Sequence, residues 1–348
     1  MKILFITART DLGGGPKHLL DLFKSLSQTE IYLASPIEGP FGPELLKYTK
    51  KNVVIKKRSF SIFDYIKILF FIYQNEIKII HSHGRGAGLY ARLLKFFGLK
   101  VIHTFHGIHR ETGFIGTIKY LIDRVLAPYA DHYICVSDDE KVKAKAEHFL
   151  GKVPTTVIYN GVDLSLFKYN FKDQEIKVLG CMARASYQKG YDILFAHLIV
   201  LKKQWPDFKF NIAGPSENEI TIPFELLSNC QILGQVDPLT FLNQIDLYIS
   251  ASRWEGMPLA ILEAMAIGVP CLLSDVVGHQ HFISKEMVCA TYKPLNHLDF
   301  FKKIESLKNN SIRKKMAANA RALISESNSA VNVTKKTWDI YNEIYSTT

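Results

Sequence analysis

Two carboxylates, Glu255 and Glu263, stand with seven residues between them in Ser252-Arg-Trp-Glu-Gly-Met-Pro-Leu-Ala-Ile-Leu-Glu-Ala-Met-Ala-Ile-Gly-Val-Pro270. Pro258 suits the first position of a helix, where its missing N–H costs nothing, and Gly268 suits the position just past the end. The spacing predicts a helix over 258–267, with Glu263 on its barrel and Glu255 and Gly256 in the loop before it. Backbone amides over Met257, Pro258 and Leu259 would then form an anion site at the helix N-terminus. Glu263 would reach hydroxyls deeper along the ligand, and Glu255 those beyond the anion. An anion flanked by two polyols is the chemistry of a sugar nucleotide. Taken alone, the same residues also describe an amphipathic helix with one solvated glutamate. Upstream, Met182-Ala-Arg-Ala-Ser-Tyr-Gln-Lys-Gly190 places Arg184 and Lys189 in one loop behind an expected strand. Two cations there, close to a helix N-terminus, can neutralise a diphosphate and stabilise it as a leaving group.

Gly13-Gly14-Gly15-Pro16 follows the first expected strand and opens a helix at Lys17-His18. Glycine lets a backbone approach a ligand closely, although the same residues also make an ordinary tight strand-to-helix turn. The pattern is not G-x-G-x-x-G, and no acid about 20 residues on is placed for a dinucleotide ribose, which disfavours a dinucleotide oxidoreductase. His106 precedes Gly107 at the expected C-terminal end of a strand, where open α/β sheets hold ligands. His81, His83, His103 and His109 crowd the same region. Their spacing matches no zinc pattern, and no Asp-x-Asp is present to hold a divalent ion on a diphosphate, so no metal site is expected. The five cysteines are scattered and never form C-x-x-C, which fits buried thiols in a reducing compartment.

These side chains need elements to carry them. Apolar β-rich runs alternate with helical patterns along the whole chain, predicting α/β architecture with parallel sheets. Expected strands are 2–7, 30–34, 53–56, 77–81, 100–104, 132–136 and 155–158, then 176–181, 208–213, 230–233, 246–250, 269–273 and 287–290. At 348 residues two lobes are the default. The turn Asn160-Gly161 and the polar, aperiodic stretch to about Asp173 mark the boundary between a first domain at 1–165 and a second at 174–328. A last helix around Val333 to Tyr345, within 329–348, carries Trp338, Ile340, Tyr341 and Tyr345. Apolar content of 47% and charged content of 22% are ordinary for a soluble protein. No signal peptide or span of about 20 apolar residues is visible, so the expected location is cytoplasmic. The net charge of +10 is concentrated: residues 44–100 hold 12 Lys or Arg against Glu44, Asp64 and Glu76. Within it, Lys56-Lys57-Arg58-Ser-Phe60 leads into Tyr65-Ile-Lys67-Ile-Leu-Phe-Phe-Ile-Tyr73, a composition suited to the inner face of an anionic membrane through residues 44–73. The competing reading buries Ile66, Leu69, Phe70 and Tyr73 as one helical core stripe. Nucleic acid is disfavoured, since no helix-turn-helix, RNP or zinc pattern is present.

The Glu255/Glu263 segment resembles the E-x7-E signature of retaining family-4 glycosyltransferases. Further stretches resemble the family in its own order: Gly13-Gly14-Gly15, His103-Thr-Phe-His106-Gly107, Ile158-Tyr-Asn-Gly-Val-Asp163, Arg184 through Lys189-Gly190, and Ile212-Ala-Gly214. The resemblance implies the GT-B fold, two Rossmann-like lobes facing a central cleft, with the last helix crossing back to the first lobe. It implies that the Gly14–Gly15 loop closes over donor phosphate or acceptor, and that His106 contacts the transferred sugar. Gly234 would meet the nucleobase through its backbone, Glu263 would hold the ribose, and Glu255 the sugar. The family commonly has Gly where Ala183 stands, and a Glu a few residues after the glycine matching Gly278, where this chain reads Gly278-His-Gln-His281. The implied activity is metal-independent, retaining transfer from a nucleotide-diphosphate sugar, UDP-linked by expectation, to a glycan or lipid-linked acceptor of bacterial surface polysaccharide. The alternatives are an inverting enzyme of the same fold and a catalytically silent membrane-associated scaffold.

Overall fold

The computed structural model describes residues 1–26, 28–108 and 113–346. The chain divides into two compact units, Met1–Asn160 with Ala330–Thr348, and Gly161–Ser329. The first unit runs β1 (Lys2–Thr7), α1 (Gly14–Ser25), β2 (Glu30–Ser35), α2 (Phe41–Leu46), β3 (Lys51–Val54), α3 (Ile62–Asn75), β4 (Ile79–His83), α4 (Arg85–Leu94), β5 (Lys100–Thr104), α5 (Gly113–Val125), β6 (His132–Cys135), α6 (Asp138–Ala146) and β7 (Thr155–Val157). The second runs β8 (Val178–Met182), α7 (Tyr191–Gln204), β9 (Lys209–Ala213), β10 (Cys230–Gly234), α8 (Pro238–Leu242), β11 (Leu247–Ser250), α9 (Leu259–Ile267), β12 (Cys271–Ser274), α10 (Gln280–Ile283), β13 (Ala290–Tyr292), α11 (His297–Leu307) and α12 (Asn310–Ser327). The chain then re-enters the first unit through α13 (Ala330–Ser346). Each expected strand run coincides with a strand among the described residues, displaced at its ends by no more than three residues.

Every strand pair is parallel, in the orders β3-β2-β1-β4-β5-β6-β7 and β10-β9-β8-β11-β12-β13. Helices cover both faces of the first sheet, so its inner strands bury both rows of side chains, while the edge strand β3 is largely exposed. In β1, Leu4 and Ile6 enter one core with Ile68, Ile72 and Tyr90, while Ile3 and Phe5 enter the other with Leu19 and Phe23. That second core also takes Val333, Ile340, Tyr341 and Ile344 of α13, at roughly 1.5–3 kcal/mol per fully buried large apolar side chain. Of the expected aromatics of this helix, Trp338 is partly buried and Tyr345 is exposed.

The polar stretch after Asn160 is packed: Phe167 is buried, the Asn170 amide donates to Ile267 O at 2.7 Å, and the Tyr169 ring lies against Gly268. It packs as part of the second unit, because its scattered apolar residues find partners on α9. The competing reading of α3 as one core stripe at Ile66, Leu69, Phe70 and Tyr73 is corrected. Ile66, Phe70 and Tyr73 are exposed, Tyr73 by 85%, and the buried face is Ile68 and Ile72, with Leu69 partly covered. The buried face is one residue out of register with that stripe, since nearly every position from 62 to 73 is apolar. Among the described residues no helix is long and apolar enough to cross a membrane.

Candidate functional site

In the second sheet β8 and β11 are neighbours, and the strand order reverses between them. The loops leaving their C-terminal ends, 183–190 and 251–258, flank the crevice where open α/β sheets take ligands. Backbone chemistry joins these loops. The Arg253 amide donates to Gln188 O at 2.8 Å, and Gln188 Nε2 donates to Trp254 O at 2.9 Å. Arg253 reaches back to Asp192 at 2.9 and 2.5 Å and lies 3.9 Å from the centre of the Tyr187 ring. Gly190 has φ +65°, and a Cβ there would come within 2.1 Å of Ala251 O, so only glycine lets the two loops approach this closely.

Lys189 and Glu255 meet in this crevice. Lys189 Nζ lies 2.6 Å from Glu255 Oε1, with side chains 17% and 6% exposed. Ser252 Oγ donates to the same oxygen at 2.5 Å, and Gln188 Nε2 lies 3.3 Å from Oε2. Burial alone would raise the Glu255 carboxyl; the Lys189 ammonium and the other groups facing the carboxylate, Ser252 among them, together outweigh it and hold the group below the usual carboxylate range. A third loop supports the pair from behind. The Glu255 amide donates to Val277 O at 2.9 Å, and Gly278, at φ +92°, would put a Cβ 2.2 Å from Glu255 O. His279, next in the chain, is fully buried with its Nδ1 2.8 Å from Ser274 O. Burial lowers its pKa, so the ring is neutral, and donation from Nδ1 leaves Nε2 as an acceptor.

Arg184 is exposed just beyond the C-terminal end of β8. Gly256, Met257, Pro258 and Leu259 run from Glu255 into α9, and Glu263 sits inside that helix, 4% exposed. The anion site is narrower than expected. Pro258 is the N-cap, not the first helical residue, and as an imino acid it has no N–H, so the amides that open the helix are those of Leu259 and Ala260. Helix α9 buries nearly all round because it lies in the interior of the unit, and it ends at Gly268 in the left-handed conformation. Gly234 ends β10, two strands from β8, at φ +65° with no atom within 4 Å of where a Cβ would stand. His281, near the position where the family has its carboxylate, turns Nε2 to Asn328 Oδ1 at 3.3 Å.

The first unit has its own reversal point between β1 and β4. Gly13 caps α1, Gly14 begins it, and a Cβ on Gly15 would lie 3.5 Å from the His106 ring, an ordinary contact. His106 follows β5, and its Nε2 is 3.1 Å from His83 Nδ1. Burial holds the His106 pKa well below its ordinary value. Gly107, at φ +97°, donates its amide to Glu140 Oε1 at 2.6 Å, while Oε2 takes the Val136 amide at 2.7 Å. Burial pushes the Glu140 carboxyl up to about 7, against the pull of those two amides. His109 lies outside the described residues. Sequence reasoning did not single out Gln188, Ser252, His279 or Glu140. Ser252, Gln188 and His279 lie in the glutamate, cation and Gly278 segments, and Ser137-x-x-Glu140 has the spacing of a capping box, but nothing local marks which of these side chains face Glu255.

Comparison with known proteins agrees with this architecture. Residues 164–323 match the model of glycosyl transferases group 1, and residues 12–166 match that of Glycosyltransferase Family 4. The UDP-Gal:alpha-D-GlcNAc-diphosphoundecaprenol alpha-1,3-galactosyltransferase of Escherichia coli is 27% identical over 337 residues, covering 89% of this chain and 85% of that protein. The O-antigen biosynthesis glycosyltransferase WbnH of Escherichia coli is 26% identical, covering 79% of this chain and 81% of that one. Among solved structures, Anabaena Alr3699/HepE in complex with UDP and glucose superposes with a TM-score of 0.84 at 19% identity, covering 99% of this chain and 100% of that one. Matched in its two halves by these models and along most of its length by such enzymes, the chain is a group 1/family 4-like glycosyltransferase built of two Rossmann-like α/β units.

Proposed function

We propose that the protein is a retaining glycosyltransferase that moves a sugar from a UDP-linked donor to a glycan or lipid-linked saccharide of a bacterial surface polysaccharide, without a metal cofactor. The observation that carries the reading is the Lys189–Glu255 pair at the reversal point of the second sheet. Arg184, Lys189 and the amides at the start of α9 take the diphosphate; Glu263 takes the ribose hydroxyls, Glu255 the sugar, and the Gly234 backbone the base. The UDP named in the HepE complexes and in the galactosyltransferase relative supports uridine. Gly14, Gly15 and His106 serve the donor phosphate and the transferred sugar from the first unit.

As the bond from the anomeric carbon to the diphosphate oxygen breaks, negative charge grows on the leaving diphosphate, and the two cations stabilise it more in the transition state than in the bound donor. The acceptor hydroxyl attacks the same face of the sugar, and its proton passes to the departing phosphate oxygen. Glu255 is committed to Lys189 and Ser252, which suits a hydroxyl holder better than a nucleophile. The anomeric configuration of the product, read by NMR, tests this: an inverted product refutes the retaining assignment.

We infer further that the first unit docks on the inner face of an anionic membrane. Lys56, Lys57 and Arg58 are exposed beside Phe60, Phe63, Phe70 and Tyr73. Helix α5 adds a second exposed apolar row, Phe114, Ile115, Leu121 and Val125, with Phe114 80% exposed. Failure of anionic liposomes to retain the protein at low salt would refute docking.

A further inference from the structure

Five histidines of the first unit come together near the reversal point of its sheet, and their surroundings divide them. His81 is spent: Nδ1 is 2.6 Å from Tyr341 OH and Nε2 is 2.7 Å from Thr104 Oγ1. His103 has its Nδ1 2.9 Å from Ser82 Oγ, and its ring is pressed against Gly88, where a Cβ would come within 2.6 Å. The other three, His18, His83 and His106, face one another. One nitrogen from each lies within 4.8 Å of the other two. His83 Nδ1 and His106 Nε2 are 3.1 Å apart, close to the roughly 3.3 Å that separates two ligands of a tetrahedral ion with bonds of about 2.0–2.1 Å.

A hydrogen bond between two imidazoles would account for the His83–His106 distance, but not for the third ring that faces them. The donors are nitrogen only, which suits a borderline ion and excludes Ca²⁺ or Mg²⁺. They come from the start of α1 and from the ends of β4 and β5, elements that cannot drift apart without breaking the sheet. Lys17 and Arg9 are close enough to disfavour added positive charge, which weakens such a site relative to one ringed by carboxylates.

We propose that His18, His83 and His106 form a binding site for a borderline divalent transition-metal ion, Zn²⁺ above all, and that its occupation inhibits the enzyme. The binding stands on the geometry alone; the inhibition rests on the role proposed above for His106. Zn²⁺ ligated by His106 withdraws that ring from the sugar, so the metal acts as a brake on an enzyme that does not need one.

The test uses the full chain, freed of metal by EDTA and exchanged into chelator-free buffer with no donor present. Titration with Co²⁺, read by its visible d–d absorption, and with Zn²⁺, read by calorimetry, should show one equivalent bound. His18→Asn and His83→Asn should each lose that equivalent, while His197→Asn, in the second unit, should keep it. Thermal melting identifies a variant that fails to fold, and His18, at the edge of α1, carries the result if His83→Asn does. Absence of binding to the wild type, or full binding by both cluster variants, overturns the site. Saturating Zn²⁺ should abolish sugar transfer reversibly, with EDTA restoring it; undiminished turnover by the metal-loaded enzyme overturns the inhibitory half and leaves the binding result intact.

Discussion

Replacing Lys189 by Met leaves Glu255 buried beside Ser252 and Gln188 with no cation. At 2.6 Å and an effective dielectric of about 20, the gross attraction is on the order of 6 kcal/mol, most of it offset by desolvation of both ions. Removing one partner does not refund the desolvation of the other, so the loss is larger than the net value of the pair. Breaking buried pairs costs about 3–5 kcal/mol. Two neutral donors remain on the carboxylate, which argues for the lower end, about 3 kcal/mol at pH 7. The sign of the pH dependence separates this from a packing defect. In the wild type Glu255 titrates below its unfolded value, so its contribution is present above that value and is lost as pH falls through the folded pKa. Without Lys189 burial dominates and the folded pKa rises above the unfolded one. The penalty is then full at neutral pH and shrinks as acid protonates the group. Thermal unfolding of the full chain, followed through tryptophan emission with Trp254 adjacent to the pair, should show Lys189→Met well below wild type at pH 7 and closer to it near pH 5. A deficit below about 0.5 kcal/mol, or one that does not change with pH, would refute the reasoning. Turnover should fall as well, by 10²–10³ in kcat/KM if Lys189 stabilises the diphosphate as an oxyanion donor does.

Glu140 supplies a second pH window. Its folded pKa of about 7 against an unfolded 4.5 means that the native state holds its proton more tightly, so the penalty of burial is absent below about 4.5 and complete above about 7, on the order of 3 kcal/mol. Denaturation of wild type and Glu140→Gln at pH 5 and 7.5 should show this slope only in the wild type. Gly278→Ala should destabilise the second unit by about 1–3 kcal/mol and raise the donor KM, because its φ of +92° and the 2.2 Å approach to Glu255 O force the loop that supports the pair to move; unchanged melting and KM would contradict it. Tyr341→Phe should cost about 1 kcal/mol, since it strips a hydrogen bond from buried His81, as measured by urea unfolding. Phe63→Glu with Phe70→Glu should abolish liposome flotation and leave turnover on a soluble acceptor intact.

The strand runs and the helix boundary at Gly268 were legible in the sequence because parallel strands are continuous apolar runs and helix ends carry glycine. The register of α3 was not, because nearly every residue from 62 to 73 is apolar and no polar face marks the solvent side. Lys189 and Glu255 were each visible as chemistry, but their pairing was not: they are far apart in the chain, and only the order β8-β11 makes their loops neighbours. Pro258 shows the reverse case. The sequence itself denies it an amide, so the narrower anion site follows from the residue type alone. His18 was the hardest to place. His83 and His106 stand in one histidine-rich region of the sequence, but His18 lies on a separate element, and nothing in its spacing to them announces that three rings converge.

The central claim is that the second unit holds a sugar nucleotide through Arg184 and Lys189 without a metal. Isothermal titration of UDP into the full chain in EDTA tests it most directly, with wild type, Arg184→Ala and Lys189→Ala compared at one salt concentration. The account predicts one site in the wild type and a loss of affinity of at least tenfold in each variant, the share of about 1.4 kcal/mol that a charge-assisted contact to phosphate commonly supplies. Binding that requires Mn²⁺, or equal affinity in all three proteins, would contradict it.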